Sequence, residues 1–361
     1  MRSLPAGFNL IGYATSPTGL GEDLRSFAAL LNTLKIPFSI TDIPTDSSGK
    51  IKPQFKHLSV DDFANSVFFM SPMECLNLSQ HHPQLFSEPT LKIGYFLWEL
   101  PDFPDEYLPA LDLVDQIWCP SKFVQQAFFE KSPKLVLAIP LPVIEHQANQ
   151  QNFRQELKIS KDAFVCLFMF DLHSTLNRKN PQGVIEAFLQ FAKGKDDVFL
   201  VLKINRWENV ARSQLRWLPK HPQIKLLTQT LETPALASLY QSANAYLSLH
   251  RSEGFGRTLV EALQHGLSVI ATNYSGPADF LNEENAKILG WLPQSVLKDD
   301  YPFNQLSIWA NPMIEDAVAA LEDLYQASPY RPSIKAIEAG QAFSVQNLAN
   351  KYEPILRSYL R

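Results

Sequence analysis

Two doubly wound, Rossmann-like α/β domains are predicted by three features of the sequence. Its 361 residues are too many for one ordinary core and suit about two domains. Apolar runs of strand length alternate with helical stripes twice, over residues 8–139 and again over 164–272. A polar segment, 144–160, separates the two series, and His146 to Gln151 within it is nearly all amide and histidine. The expected boundaries are 1–150, 151–340 and a terminal helix at 341–361.

Residues 8–13 read as the first buried strand. The loop 14–21 follows, then a helix over about 22–34 with Leu24, Phe27, Ala28 and Leu31 on one face. This is the opening unit of a doubly wound sheet. No Gly-x-Gly-x-x-Gly stands there, and the lone pair Gly19 and Gly21 is also read as a structural turn. Residues 44–62 are polar and read as a loop or irregular crossover. Strands are expected at 67–70, 92–97, 116–119 and 135–139. A helix near Pro104 should carry Tyr107, Leu108, Leu111 and Val114, and Ser121 should cap another at 123–129.

In the second half, strands are expected at 164–170, 198–204, 224–227, 245–249 and 267–272. Pro181 opens a helix whose face is Val184, Ala187, Phe188 and Phe191. Thr233 and Pro234 read as N-cap and first residue of a helix that faces Leu236, Leu239 and Tyr240 inward. At the end of the chain Leu348, Tyr352, Ile355 and Tyr359 form a stripe that Pro354 should kink.

Composition removes several classes. A net charge of −5 gives no electrostatic footprint for nucleic acid. The three cysteines, Cys75, Cys119 and Cys166, are widely spaced, and the latter two lie in apolar runs. Buried free thiols in a reducing, cytoplasmic compartment are expected. No signal-peptide core and no run of 18 apolar residues occurs. Peripheral membrane contact stays open. No H-x3-H, H-E-x-x-H or Gly-x-Ser-x-Gly is present, and acidic doublets such as Asp299-Asp300 fall in polar loops.

The stretch Ser252-Glu253-Gly254-Phe255-Gly256-Arg257-Thr258-Leu259-Val260-Glu261 carries the chemistry. It reads as the loop after a strand and then a helix over about 257–265, with Leu259 and Leu263 buried and Gly266 closing it. Backbone N–H groups at such a helix start suit an anion. The carboxylates of Glu253 and Glu261 suit sugar hydroxyls, because an ionised carboxylate accepts two donors at once. The plain alternative is that both are solvated surface charges.

This Glu-Gly-Phe-Gly-x4-Glu stretch resembles the signature of family 4 (group 1) retaining glycosyltransferases, which have the GT-B fold. The resemblance covers most of residues 90–285 and is strongest at 250–277. It extends to Gly94-Tyr95-Phe96-Leu97-Trp98-Glu99, to 115–121, and to Asn177-Arg178-Lys179-Asn180-Pro181. It implies a cleft between an acceptor domain and a donor domain, with the terminal helix packed back on the first. It also implies a nucleotide-diphosphate sugar as substrate, with no metal or other cofactor required, and a glycan or lipid-linked acceptor. By the resemblance, Glu253 meets the donor sugar and Glu261 the nucleotide ribose. Gly254, Phe255, Gly256 and Arg257 line the donor, the loop of Gly19 and Gly21 approaches its phosphates, and Glu99, just past a strand's carboxyl end, either serves the acceptor side or caps a neighbouring helix.

A diphosphate leaving group needs cations. Arg178 and Lys179 are the expected pair. Lys203 is a third, because a lysine in an apolar strand is costly to bury without an anion. Exposed loop charges remain the plain alternative for the first two. Many relatives carry Gly-Arg where this chain has Phe170-Asp171. Either Arg178 replaces that charge or phosphate binding is weaker; alternatively Asp171 orients Lys179 or Lys203. His250 reads equally as a cleft residue or a hydrogen-bonded structural one, and no role is assigned to His57, His81 or His82. The expected function is transfer of a hexose in surface polysaccharide or glycoconjugate synthesis. A non-catalytic sugar-nucleotide-binding subunit and a GT-B epimerase or phosphorylase are the alternatives.

Overall fold

The computed structural model describes residues 4–16, 18–43, 63–87, 89–172, 174–207, 215–298, 300–301, 307–327 and 332–360. The segment 44–62, with His57 and the crossover expected there, lies outside them, as does Asp299. The chain divides into two compact units, Met1–Ile144 with Ala342–Arg361, and Glu145–Gln341.

The first unit runs β1 (Phe8–Gly12), α1 (Gly19–Thr33), β2 (Phe38–Asp42), β3 (Asn65–Phe69), α2 (Pro72–His81), α3 (Gln84–Ser87), β4 (Leu91–Tyr95), α4 (Leu108–Asp112), β5 (Gln116–Cys119), α5 (Lys122–Phe129) and β6 (Leu135–Ala138). Its six strands are parallel in the order β2-β1-β3-β4-β5-β6. Helix α1 starts earlier than expected because the Thr18 hydroxyl accepts from the Gly21 N–H and caps it there. Gly19 and Gly21 therefore lie in the first helical turn and not in the preceding loop. The helix near Pro104 is broken into a 3-10 turn at Asp105–Tyr107 and the short α4. Ser121 does cap α5, accepting from the Val124 N–H.

The second unit continues with α6 (Phe153–Glu156), β7 (Phe164–Asp171), α7 (Leu176–Lys179), α8 (Pro181–Phe191), β8 (Val198–Asn205), β9 (Ile224–Leu227), α9 (Thr233–Gln241), β10 (Ala245–Ser248), α10 (Arg257–Gln264), β11 (Ser268–Thr272), β12 (Ala286–Leu289), β13 (Trp291–Ser295), β14 (Ile308–Pro312), α11 (Ile314–Gln326) and α12 (Ile334–Gln341). Thr233 is the first helical residue of α9, since Glu232 holds the cap position without a side-chain bond. Phe164, Cys166, Phe168 and Phe170 of β7 pack on α8 and α11, while Val165, Leu167 and Met169 pack against α9, α10 and α12. Burial on both faces explains the unbroken apolar run. The parallel order β9-β8-β7-β10-β11-β12 reverses direction between β7 and β10, which creates a crevice outside their carboxyl ends.

The last helix, α13 (Val345–Ser358), belongs to the first unit and is capped by Ser344. It runs through Pro354 as one element. Its buried stripe is Leu348, Ala349, Tyr352 and Leu356, so Leu356 takes the place expected for Ile355, which is 41% exposed. Tyr359 packs its ring edge on Trp118, 5.5 Å away, and its hydroxyl donates to Gln116 at 2.6 Å. Cys75, Cys119 and Cys166 are free and buried. Among the described residues no helix is long and apolar enough to cross a membrane.

Candidate active site

The crevice of the second unit is built from three connections. After β7 the chain makes the single turn α7 and stops at Asn180, which adopts the left-handed conformation at φ 54°. Asn180 then caps α8 by accepting from the Gly183 N–H at 3.1 Å, and it donates to the Leu249 carbonyl at 2.8 Å. One asparagine thus ends one helix, starts the next and ties both to the end of β10. That arrangement places Arg178 and Lys179 beside the loop after β10.

Glu253 in that loop is the meeting point. Its Oε1 lies 2.5 Å from Lys179 Nζ, and its Oε2 lies 3.0 Å from an Arg178 nitrogen. The same guanidinium donates to the Ser252 carbonyl at 2.8 Å. Burial alone would raise the Glu253 carboxyl. Attraction to Lys179 and then to Arg178 outweighs it and pulls the group down to about 2. One carboxylate between two cations leaves one positive charge in the crevice.

The backbone of this loop is fixed from behind. The Glu253 N–H donates to Ser275 Oγ at 2.8 Å, and its carbonyl accepts from the Gly276 N–H at 2.9 Å. A Cβ on Gly276 would fall 2.3 Å from the Gly254 oxygen, so only glycine permits this approach. Gly256 sits at φ 95° where α10 begins, and no side chain caps the helix there. Phe255 packs on Phe280, with ring centroids 5.5 Å apart. Behind α10, a Cβ on Gly340 of α12 would meet the Gln264 nitrogen at 2.5 Å.

Glu261, half-buried on α10, accepts from the Tyr240 hydroxyl at 2.6 Å. Lys203 is 2% exposed on β8 and donates to the Asn205 side chain. Asp171 pairs with Arg206, whose Nε lies 2.7 and 2.9 Å from its two oxygens. This pair spans the ends of β7 and β8, so Arg206 is one partner of the aspartate that stands where many relatives carry arginine. His250 is fully buried, accepts from the Ser248 hydroxyl through Nδ1 at 3.0 Å and donates from Nε2 to the Tyr274 carbonyl at 3.3 Å. Burial lowers it to about 4, so it is a neutral, hydrogen-bonded structural residue.

Arg251 joins three pieces. It donates to the Asn177 carbonyl at 2.5 Å and to Gln294 at 3.1 Å, and its own N–H donates to the Arg178 carbonyl at 2.8 Å. Gln294 lies on β13, so the β13–β14 hairpin braces the turn that carries Arg178 and Lys179.

The structure therefore brings together Arg178, Lys179, Glu253 and the loop of Gly254, Phe255, Gly256 and Arg257, with Glu261 one helical turn further and Lys203 on a neighbouring strand. Gly19, Gly21 and Glu99 lie in the first unit. A Cβ on Gly21 would meet the Ser16 and Tyr13 carbonyl oxygens at 2.3 and 2.5 Å, so Gly21 serves packing, whereas Gly19 faces open space. Glu99 is half-buried, four residues beyond β4. Sequence reasoning missed Asn180, Arg206, Tyr240 and Ser275. Only the pairs Asn180-Pro181 and Ser275-Gly276 carried a local turn signal. Among the described residues no group of three or more His, Cys, Asp or Glu could hold a metal ion.

The two parallel sheets with this crevice define the GT-B class of glycosyltransferase folds. Residues 149–294 match the family described as glycosyl transferases group 1. That match lies within the second unit and includes the stretch 250–277 on which the resemblance rested. No curated protein sequence matched. Among solved structures, HepE of Anabaena in complex with UDP and glucose is similar at TM-score 0.65 and 16% identity, covering 98% of this chain and 100% of that one. Sucrose-phosphate synthase of Thermosynechococcus elongatus gives 0.70 and 13%, covering 99% of each. The pneumococcal O-GlcNAc transferase GtfA, in complex with UDP and GlcNAc, gives 0.57 and 14%, covering 82% of this chain and 57% of that chain.

Proposed function

We propose that this chain is a retaining glycosyltransferase that moves a hexose from a nucleotide-diphosphate sugar to a glycan or lipid-linked acceptor. The observation that carries this reading is the Glu253 carboxylate shared by Lys179 and Arg178 at the crevice between β7 and β10. The excess positive charge suits a diphosphate, and Lys203 adds to it from β8. As the bond to the sugar breaks, these cations stabilise charge that develops on the leaving phosphate. They do so without a metal ion in this proposal. Glu253 accepts hydrogen bonds from hydroxyls of the transferred sugar, and Glu261 from the ribose. The departing phosphate then takes the acceptor's proton on the same face, so that no side-chain base is needed.

The UDP in the HepE and GtfA structures makes a uridine donor the first to test. A cytoplasmic site of action, with peripheral contact where the acceptor is lipid-linked, fits the three free, buried thiols. Calorimetry with UDP, GDP, ADP and dTDP in the presence of EDTA is the test. One diphosphate should bind, and Lys179→Ala should weaken it roughly tenfold or more (~1.4 kcal/mol). No binding by any of the four would overturn the donor-site reading. Binding of the matching sugar nucleotide without turnover on a mixed acceptor pool would favour the non-catalytic alternative.

A further inference from the structure

We propose that Tyr240 is a positioning residue for nucleotide recognition, holding the Glu261 carboxylate in the orientation that accepts from the ribose hydroxyls. This inference rests on the donor-site reading above. Tyr240 comes from α9, a different helix from the one that carries Glu261, and is 1% exposed. Its hydroxyl lies 2.6 Å from Glu261 Oε2 and 3.4 Å from the Thr258 carbonyl. A bond from a neutral hydroxyl to a carboxylate at that length is charge-assisted and directional.

The ring itself has little room to move. His265 stacks on it with centroids 5.2 Å apart and planes 17° from parallel, and Tyr246 lies 6.1 Å away on the core side. The Tyr240 ring also belongs to the packed cluster beneath α9 and α10. Glu261, in contrast, is half-buried and has three rotatable side-chain bonds. A rigid donor anchoring one end of a flexible carboxylate removes rotamer freedom before the ligand arrives, which is how preorganisation raises affinity. Burial, with the nearby Glu261 charge, pushes the Tyr240 phenol well above its ordinary range, so it remains a donor at neutral pH.

A brace between α9 and α10 is the competing role, since a buried phenol needs some partner. The ligand's own hydroxyls separate the two. The full-length chain is titrated with UDP and with 2′,3′-dideoxy-UDP, as wild type, Tyr240→Phe, Glu261→Ala and the double variant. GDP or ADP with its dideoxy counterpart replaces these if it is the diphosphate that binds. Tyr240→Phe should weaken UDP about tenfold (~1.4 kcal/mol), change dideoxy-UDP by less than about twofold, and add nothing in the Glu261→Ala background, where no acceptor is left for the hydroxyl. Equal weakening of both nucleotides, or of neither, overturns the proposal. If Tyr240→Phe does not fold, Tyr240→Met, which fills the space with a flexible apolar chain, is read in the same way. Failure of the wild type to bind any of the diphosphates sinks the donor-site reading and this inference with it. Binding with the wrong hydroxyl dependence sinks the inference alone.

Discussion

Glu253 remains ionised although buried, because Lys179 and Arg178 divide its two oxygens between them. Its folded value, about 2, lies below the ordinary 4.5. The stability it contributes is therefore complete above about pH 5 and is lost as the pH falls from there toward 2. His250 is also depressed, from 6.5 to about 4, chiefly by burial. The unfolded chain binds a proton there that the folded chain refuses, so stability declines between those values as well. Unfolding free energy measured by denaturant from pH 7 down to 3 should fall in two overlapping stages. Glu253→Gln should remove the lower stage and keep the upper, while costing stability at pH 7 because Arg178 loses its full counter-charge. A flat profile from pH 7 to 4 in the wild type would refute the His250 assignment. These residues were legible one at a time: a carboxylate in a glycine loop, cations after a strand. Their pairing was not, because Lys179 and Glu253 are far apart in sequence and Asp171 found Arg206.

Helix α13 shows what period alone can and cannot settle. The stripe Leu348, Tyr352, Ile355, Tyr359 fits a helix, but Leu356 fits the same helix equally well at the fourth residue from Tyr352. Packing chooses Leu356, which is 1% exposed in the core shared with Phe8, Phe27 and Trp118. Leu356→Ala should therefore cost about 2–5 kcal/mol, whereas Ile355→Ala should stay within about 0.5 kcal/mol. Equal losses in chemical denaturation would show that the helix turns its other face inward. Strand β2 went unread for a related reason. Phe38–Asp42 lies at the sheet edge, only Thr41 within it is buried, and Ile40 is 46% exposed. A half-exposed edge strand lacks the continuous apolar run that made β7 and β8 obvious. Burial on both faces made β7 and β8 plain, whereas the edge strands β6 and β9 were read from their short aliphatic runs although each is partly exposed.

At the scale of the whole chain, the backbone leaves the first unit near residue 144 and returns to it at 342. The segment that returns, α13, fills a gap in the first core with Leu348, Tyr352 and Leu356. The second unit, Glu145–Gln341, keeps both faces of its own sheet covered by its own helices. It also contains Arg178, Lys179, Lys203, Tyr240, Glu253, Glu261 and Ser275. A fragment of residues 145–341 should therefore fold alone, whereas 1–341 should expose part of the first core and aggregate. The fragment also separates two views of Gly19 and Gly21. If the start of α1 at Gly19 and Gly21, which the resemblance brings toward the donor phosphates, contributes nothing to nucleotide affinity, the fragment should bind UDP within about threefold of the full chain, a difference of ~0.7 kcal/mol. A Cβ on Gly21 would meet the Ser16 and Tyr13 carbonyl oxygens, which accounts for the glycine itself and leaves its segment's part in binding to this measurement. A folded fragment that binds tenfold or more weakly (~1.4 kcal/mol) would instead return the first unit to the donor site. Circular dichroism to establish folding, followed by calorimetry on the same sample, distinguishes these outcomes.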